Sequence, residues 1–187
     1  MKMEFGNLCG IDEAGRGPIA GDLVIAGCVL ACNIDGLNDS KKLTAKKREE
    51  LYEIIIKNST YHIVKFSAKE IDDNGISLCL NRGLKEIIKN LSSKEYLFDG
   101  NSSFGVDGIT TMIKADGKIA EVSAASILAK VTHDRDILKE ALIYPLYQFE
   151  KHKGYGTALH VEMIKKYGYC DIHRRSYKLK ALTPSLI

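Results

Sequence analysis

The sequence predicts an α/β three-layer domain, and three observations carry that prediction. Short β-rich apolar segments alternate with segments of helical period along the chain, which is the pattern of strands connected by helices. The 187 residues, 45% of them hydrophobic, suffice to bury one substantial core, so a single domain over residues 1–187 is the default. The longest apolar run, Leu23 to Cys32, is about half of what a membrane helix needs and is rich in Val and Ile, as a buried strand is.

Each element follows in order. Asn7 to Ile11 and Leu23 to Cys32 are β-rich segments joined by the Gly-rich stretch Ala14 to Gly21, which reads as the turn of a hairpin. Thr44 precedes a helix that places Leu51, Ile54 and Ile55 on one face and leaves Lys46, Lys47, Arg48, Glu49 and Glu50 to solvent. Tyr61 to Phe66 alternates as a strand does, and Ser67-Ala68-Lys69-Glu70 has the capping-box form that opens a helix. Beyond Asn74-Gly75, the series Ile76, Leu80, Leu84, Ile87, Ile88, Leu91 keeps helical period. Tyr96 to Phe98 and Ile109 to Ile113 are short strands, each followed by an acid and a glycine, in Asp99-Gly100 and Lys114-Ala115-Asp116-Gly117. Residues 119–142 are helical in period, and Ser123, Ala124, Ala125 and Ser126 are small enough to let that helix approach a sheet closely. Thr157 to Tyr167, stopped by Gly168, is the last helix.

Composition narrows the setting. Met1 to Gly10 has no sustained apolar run, and Asp12 and Glu13 fall where a signal peptide stays uncharged, which places the protein in the cytoplasm with no membrane segment. Five cysteines, without CxxC or zinc-finger spacing, are expected to be reduced and buried, with no chemistry of their own. The formal charge of +3 is uneven: residues 151–187 hold eight Lys/Arg against Glu162 and Asp171, leaving about −3 on residues 1–150. That basic C-terminal helical portion also carries Tyr155, Tyr167, Tyr169 and Tyr177, a composition suited to a polyanion as well as to a merely solvated face.

The acids are the chemically informative residues. Asp12 and Glu13 follow the apolar Leu8-Cys9-Gly10-Ile11, at or near the end of a strand expected to be central, and Asp99 and Asp116 repeat the placement. Gathered carboxylates at strand ends disfavour their own ionised forms unless a cation neutralises them. With no Cys or His beside them in sequence, these oxygen donors favour Mg²⁺ or Mn²⁺ over zinc. Read singly, Asp99 and Asp116 are also ordinary turn formers, since Asp-Gly is a common turn pair.

The motif Gly10-Ile11-Asp12-Glu13-Ala14-Gly15-Arg16-Gly17-Pro18 resembles the opening motif of the ribonuclease HII family. Further motifs occur in the family's order: Asp39-Ser40-Lys41-Lys42-Leu43, Asp99-Gly100, Lys114-Ala115-Asp116, Ser123 to Val131, Lys153-Gly154-Tyr155-Gly156-Thr157 and His173-Arg174-Arg175-Ser176. The resemblance implies a ribonuclease H-like fold, a mixed five-stranded sheet flanked by helices with a C-terminal helical portion. It also implies a metal-binding catalytic set of Asp12, Glu13, Asp99 and Asp116, using two Mg²⁺ or Mn²⁺ ions. The implied activity is cutting RNA in RNA–DNA hybrids and on the 5′ side of ribonucleotides embedded in duplex DNA, leaving a 3′-hydroxyl and a 5′-phosphate; a monomer is expected. Asp22, Ala120 and His133 depart from the pattern, standing where the family often has proline, proline and arginine.

Substrate contacts are expected from several residues. Gly15, Arg16 and Gly17 offer backbone close enough to bond a ribose 2′-hydroxyl, with Arg16 on the adjacent phosphate. Tyr155, between Gly154 and Gly156, offers a flat ring to the neighbouring sugar, a role the resemblance also assigns to it. Lys41 and Lys42, ahead of a helix, suit phosphate near its N-terminus. Arg174 and Arg175 suit a nucleic-acid-facing edge. Asp134 reads as structural, paired with Lys130 or Arg135, with a catalytic share left open; His133, His152 and His160 read as surface or core histidines. Two other classes stay open at this point, a non-catalytic nucleic-acid-binding module and a four-acid 3′-exonuclease.

Overall fold

In a computed structural model, residues 6–178 are described, so Lys180 of the basic C-terminal portion lies outside the described residues. The hairpin forms as expected, from β1 (Leu8–Ala14) and β2 (Leu23–Leu30), but β1 runs on through Asp12 and Glu13 instead of ending before them. Thr44 caps α1 (Ala45–Lys57) by accepting from the Lys47 amide. Of the residues expected on its inner face, Leu51 and Ile55 are buried and Ile54 is exposed, because the helix leans on its neighbours through a narrower stripe. β3 (Ser59–Phe66) is followed by the Ser67/Glu70 capping box, which opens α2 (Ala68–Asn74). Gly75, at φ +80°, turns the chain into α3 (Ile76–Asn90). β4 (Glu95–Asp99) and β5 (Ile109–Met112) precede the long α4 (Ala120–Ile143), and α6 (Ala158–Tyr167) follows the one-turn α5 (Phe149–His152). α5 is too short to show a period in sequence.

The strands form one mixed sheet in the order β3-β2-β1-β4-β5, antiparallel between β1, β2 and β3 and parallel between β1, β4 and β5. Every residue of β2 is buried, because both faces of the sheet are covered. Leu23, Ile25 and Val29 meet Leu80, Leu84 and Ile87 of α3 on one side. Val24, Ala26 and Cys28 meet Leu51 and Ile55 of α1 and Ala124, Ala125 and Leu128 of α4 on the other. Among the described residues, no helix is long and apolar enough to cross a membrane.

Cys9, Cys28, Cys79 and Cys170 are buried, but Cys32 is exposed just past the end of β2, correcting the expectation for all five. A small alkylating agent is expected to modify one thiol of the native protein, at Cys32, without loss of cleavage; peptide mapping after labelling checks this, and inactivation at one equivalent would contradict it.

The C-terminal elements pack on Ala20 and Ile137 through Tyr147, Phe149, Met163 and Cys170. His152, His160 and His173 are buried in this cluster. Burial pushes both His160 and His173 down from 6.5 to about 4. The unfolded chain therefore takes up these protons first as pH falls, so their contribution is full above 6.5 and drains away between 6.5 and about 4. In an NMR titration, the His160 and His173 ring resonances are expected to stay in their neutral positions at pH 5; titration near the ordinary histidine value would contradict the packing.

Candidate active site

Alternation along β1 decides which acids meet. Cys9 and Ile11 enter the core shared with α3, so Gly10 and Asp12 face α4. Asp99 follows the core residue Phe98 in the same way, and the parallel register that sets Ile11 beside Phe98 brings Asp12 and Asp99 out of the two strands as neighbours. Asp116 arrives on the 3₁₀ turn Ala115–Gly117, a few residues beyond β5, whose Asp116 carbonyl accepts from the Ser123 hydroxyl of α4. One carboxylate oxygen each from Asp12, Asp99 and Asp116 lies within 4.8 Å of the other two. Gly10 makes this possible, since a Cβ there would sit 2.2 Å from the Glu121 carbonyl carbon and push α4 off the sheet. Glu13, next on the strand, stands outside that trio but lines the same cleft. Its Oε1 is 3.7 Å from Arg16, and its Oε2 is buried with no hydrogen-bond partner among the described residues.

The site works against its own ionisation. Burial, then the Glu13 charge, raises Asp12 well above the usual carboxylate range. Burial raises Glu13 too, with Arg16 opposing and Asp99 adding. Asp116 is pushed up to about 6, by burial first and then by the charges of Asp99 and Asp39. A divalent cation reverses these penalties. The donors are all oxygens, neither His nor Cys lines the cleft, and the orphaned Glu13 Oε2 supplies a further ligand atom. The residues therefore fit a hard divalent ion.

Two residues that sequence reasoning did not assign to the site complete it. Ser126 of α4 hydrogen-bonds Asp12 and lies 2.9 Å from the Ser40 hydroxyl. Asp39 faces Asp116 across the cleft, while one of its carboxylate oxygens caps the 3₁₀ turn Ser40–Lys42. The small-residue stretch 123–126 signalled a close approach to the sheet, and nothing in it singled out Ser126.

The cleft, about 600 Å³, is lined by the four acids with Arg16, Lys41 and Lys42. It adjoins a hollow of about 350 Å³ that shares Asp12, Glu13 and Arg16 and adds Gly15, Gly17, Lys130 and Tyr155. Lys41 and Lys42 thus sit at the cleft, on their own 3₁₀ turn and not on the first turn of α1. Gly15 and Gly17 differ in kind. Gly15 has φ +86°, and a Cβ on it would lie 2.3 Å from the Asp22 carbonyl oxygen and 2.6 Å from the His133 ring, so it serves the loop's shape. Among the described residues, a Cβ on Gly17 meets only the Tyr155 ring, at 3.7 Å.

The arginine pair is placed otherwise than expected. Arg174 is 1% exposed. Its guanidinium donates to the Gly21 carbonyl at 3.0 and 2.8 Å and to the Pro18 carbonyl at 2.9 Å, bracing the loop that carries Arg16 from behind. Arg175 is exposed, but it lies in a separate groove with Asp72, Asp73 and Asp171. Neither lines the acid cleft. Asp134 pairs with Lys130 at 2.8 Å and with His133 at 3.2 Å; burial pushes it up, but these hydrogen bonds outweigh burial and hold it below its ordinary value. Arg135 pairs with Glu49 and Glu53 instead.

Comparison with known proteins agrees with this geometry. The family pattern described as Ribonuclease HII matches residues 9–180. Ribonuclease HII of Sulfurovum sp. (strain NBC37-1) is 64% identical over 182 residues, 97% of each chain. Among solved structures, a chain of the PCNA:RNase HII complex from Archaeoglobus fulgidus superposes with a TM-score of 0.80 at 29% identity, covering 96% of this chain and 98% of that one. Ribonuclease H2 from Pyrococcus horikoshii OT3 gives 0.73 at 32% identity, covering 91% and 93%. With a mixed sheet that converges these acids, and a match spanning Asp12 to Arg175, the chain belongs to the ribonuclease HII family.

Proposed function

We propose that the acid cleft hydrolyses the phosphodiester on the 5′ side of a ribonucleotide, within RNA–DNA hybrids and at ribonucleotides embedded in duplex DNA, leaving a 3′-hydroxyl and a 5′-phosphate. The observation that carries this reading is the convergence of Asp12, Asp99 and Asp116 within 4.8 Å. Mn²⁺ or Mg²⁺ held by these residues and Glu13 supplies water activation and charge compensation at the phosphate. The chain's own residues bind and orient. Lys41, Lys42 and Arg16 line the cleft as cations for the backbone phosphates, and the Arg16 side chain, half exposed, presents a planar fork for bidentate contact. Tyr155, 45% exposed, and the backbone at Gly17 face one another beside the acids, where a ribose and its 2′-hydroxyl are read.

Tyr155→Ala and Gly17→Ala test the sugar-reading part. Gly17→Ala is the cleaner steric probe, because Gly15→Ala would strain the loop itself. Each is expected to cut turnover at a single embedded ribonucleotide by on the order of tenfold to a hundredfold, the cost of a misplaced substrate, and turnover on a uniform RNA–DNA hybrid by less. Equal, small losses on both substrates would remove Tyr155 and Gly17 from the reading.

A further inference from the structure

We propose that His160, through a hydrogen-bonded pair with His173, is a positioning residue that holds the Tyr155 backbone in register with the acid cleft; this rests on Tyr155 reading the ribonucleotide. His160 and His173 face each other nitrogen to nitrogen, Nε2 to Nε2, at 3.0 Å in the C-terminal cluster. His160 Nδ1 lies 3.0 Å from the Tyr155 carbonyl oxygen, which also accepts from the Thr157 amide at 2.8 Å. The other end of the chain of contacts is the Cys170 amide, 2.9 Å from His173 Nδ1.

The two ends fix where the protons are. A carbonyl oxygen only accepts, so His160 Nδ1 carries a hydrogen and, in the neutral ring, its Nε2 is bare. A backbone amide only donates, so His173 Nδ1 is bare and its Nε2 carries the hydrogen; the Cys170 sulfur at 3.1 Å and carbonyl at 3.3 Å are the longer contacts of the same nitrogen. Both assignments demand the same direction in the middle, His173 Nε2–H donating to His160 Nε2. The result is one directed relay from the Cys170 amide to the Tyr155 carbonyl. A second proton on either ring breaks a bond of that relay, and burial, which pushes both rings down to about 4, keeps the second proton off. Around the pair, His152 stacks on His160 at 4.2 Å, Phe149 meets both rings edge-on or tilted, and Tyr147 and Tyr169 flank His173. On its outer side His173 borders the groove that holds Lys69, Asp72, Asp73, Asp171 and Arg175, and the Arg175 charge opposes a second proton on it. Adjacent Arg174 braces the loop bearing Gly17, and the Ile19 amide donates to the Gly154 carbonyl at 2.9 Å, so the two sugar-facing loops share one buried support.

Two substitutions separate positioning from packing, since Asn places an amide nitrogen where His carries Nδ1 and Gln can place its amide oxygen, an acceptor for His173 Nε2–H, where His carries Nε2. His160→Asn keeps the donor to the Tyr155 carbonyl and loses the link to His173. His160→Gln keeps the link and loses the donor. Both forfeit ring packing and are expected to lower the thermal midpoint alike. The readout is the ratio of kcat/KM on a duplex with a single embedded ribonucleotide to that on a uniform RNA–DNA hybrid, with Tyr155→Ala as reference, alongside amide hydrogen exchange at Tyr155 and Gly156. The expected result is a ratio lowered about tenfold in His160→Gln, with faster exchange in that loop, and both near wild type in His160→Asn. Equal exchange in the two variants overturns the proposal. Distinct exchange with an unchanged ratio, in Tyr155→Ala as well, keeps the pair as a support and overturns the reading of Tyr155.

Discussion

Asp12→Asn abolishes cleavage and makes the metal-free protein more stable. The first half follows from the donor set: the amide keeps the shape and the contact with Ser126 but removes the charge that would hold a divalent ion beside Asp99 and Asp116. Loss of one preorganised electrostatic group costs on the order of 10²–10³ in rate, and a metal ligand is expected to cost at least as much. The second half follows from the cost of ionisation. Asp12 is raised by burial and by Glu13, so a neutral group relieves a penalty that the folded protein otherwise carries at neutral pH. In a chain of this size each kcal/mol gained raises the thermal midpoint by roughly 2–4 °C. Saturating Mn²⁺ should stabilise the wild type further, by about 2.7 kcal/mol at a hundred times the dissociation constant, and should leave Asp12→Asn nearly unmoved. Paired thermal melts with and without Mn²⁺ check both signs; a variant less stable than wild type without metal would mean that the acids are not mutually strained.

Arg174→Ala unfolds or severely weakens the protein without changing how its substrate binding depends on salt. Truncation leaves the Gly21 and Pro18 carbonyls without their donors inside the protein and opens a cavity between the β1–β2 turn and the C-terminal portion. Orphaned buried polar groups and broken buried charge contacts cost on the order of 3–5 kcal/mol. Arg174→Lys should not rescue it, because one ammonium cannot span carbonyls that a planar fork bridges. Urea unfolding measures the loss, and binding to a hybrid between low and moderate salt measures the slope. Near-wild-type stability together with a flattened slope would restore Arg174 to the phosphate contacts that its sequence context suggested.

That contrast shows where sequence reading stops. Elements whose signals are local were legible: the Ser67/Glu70 box, the Thr44 cap, the Gly75 and Gly168 stops, and the unbroken apolar run that makes β2 a strand buried on both faces. Asp12, Glu13, Asp99 and Asp116, which line the cleft, were legible because carboxylates beside apolar strands are costly anywhere. Ser126 and Asp39 were not, since their place depends on α4 and the 3₁₀ turn meeting over β1, contacts between residues some 86 positions apart. Arg174 was misjudged for a related reason: a charged side chain is exposed by default, and only the turn at residues 16–21 supplies the carbonyls that bury it. Ile54 failed in the opposite sense, because helical period marks a face and does not say how wide a stripe the neighbours cover.

The measurement closest to the central claim is end-mapping of the products from a DNA duplex carrying one internal ribonucleotide, with Mn²⁺ or Mg²⁺ present and with the ions chelated. The account predicts a single cut on the 5′ side of the ribonucleotide, a 3′-hydroxyl and a 5′-phosphate at the new ends, and no product under chelation. Degradation of single strands from an end, or cleavage that survives chelation, would contradict it.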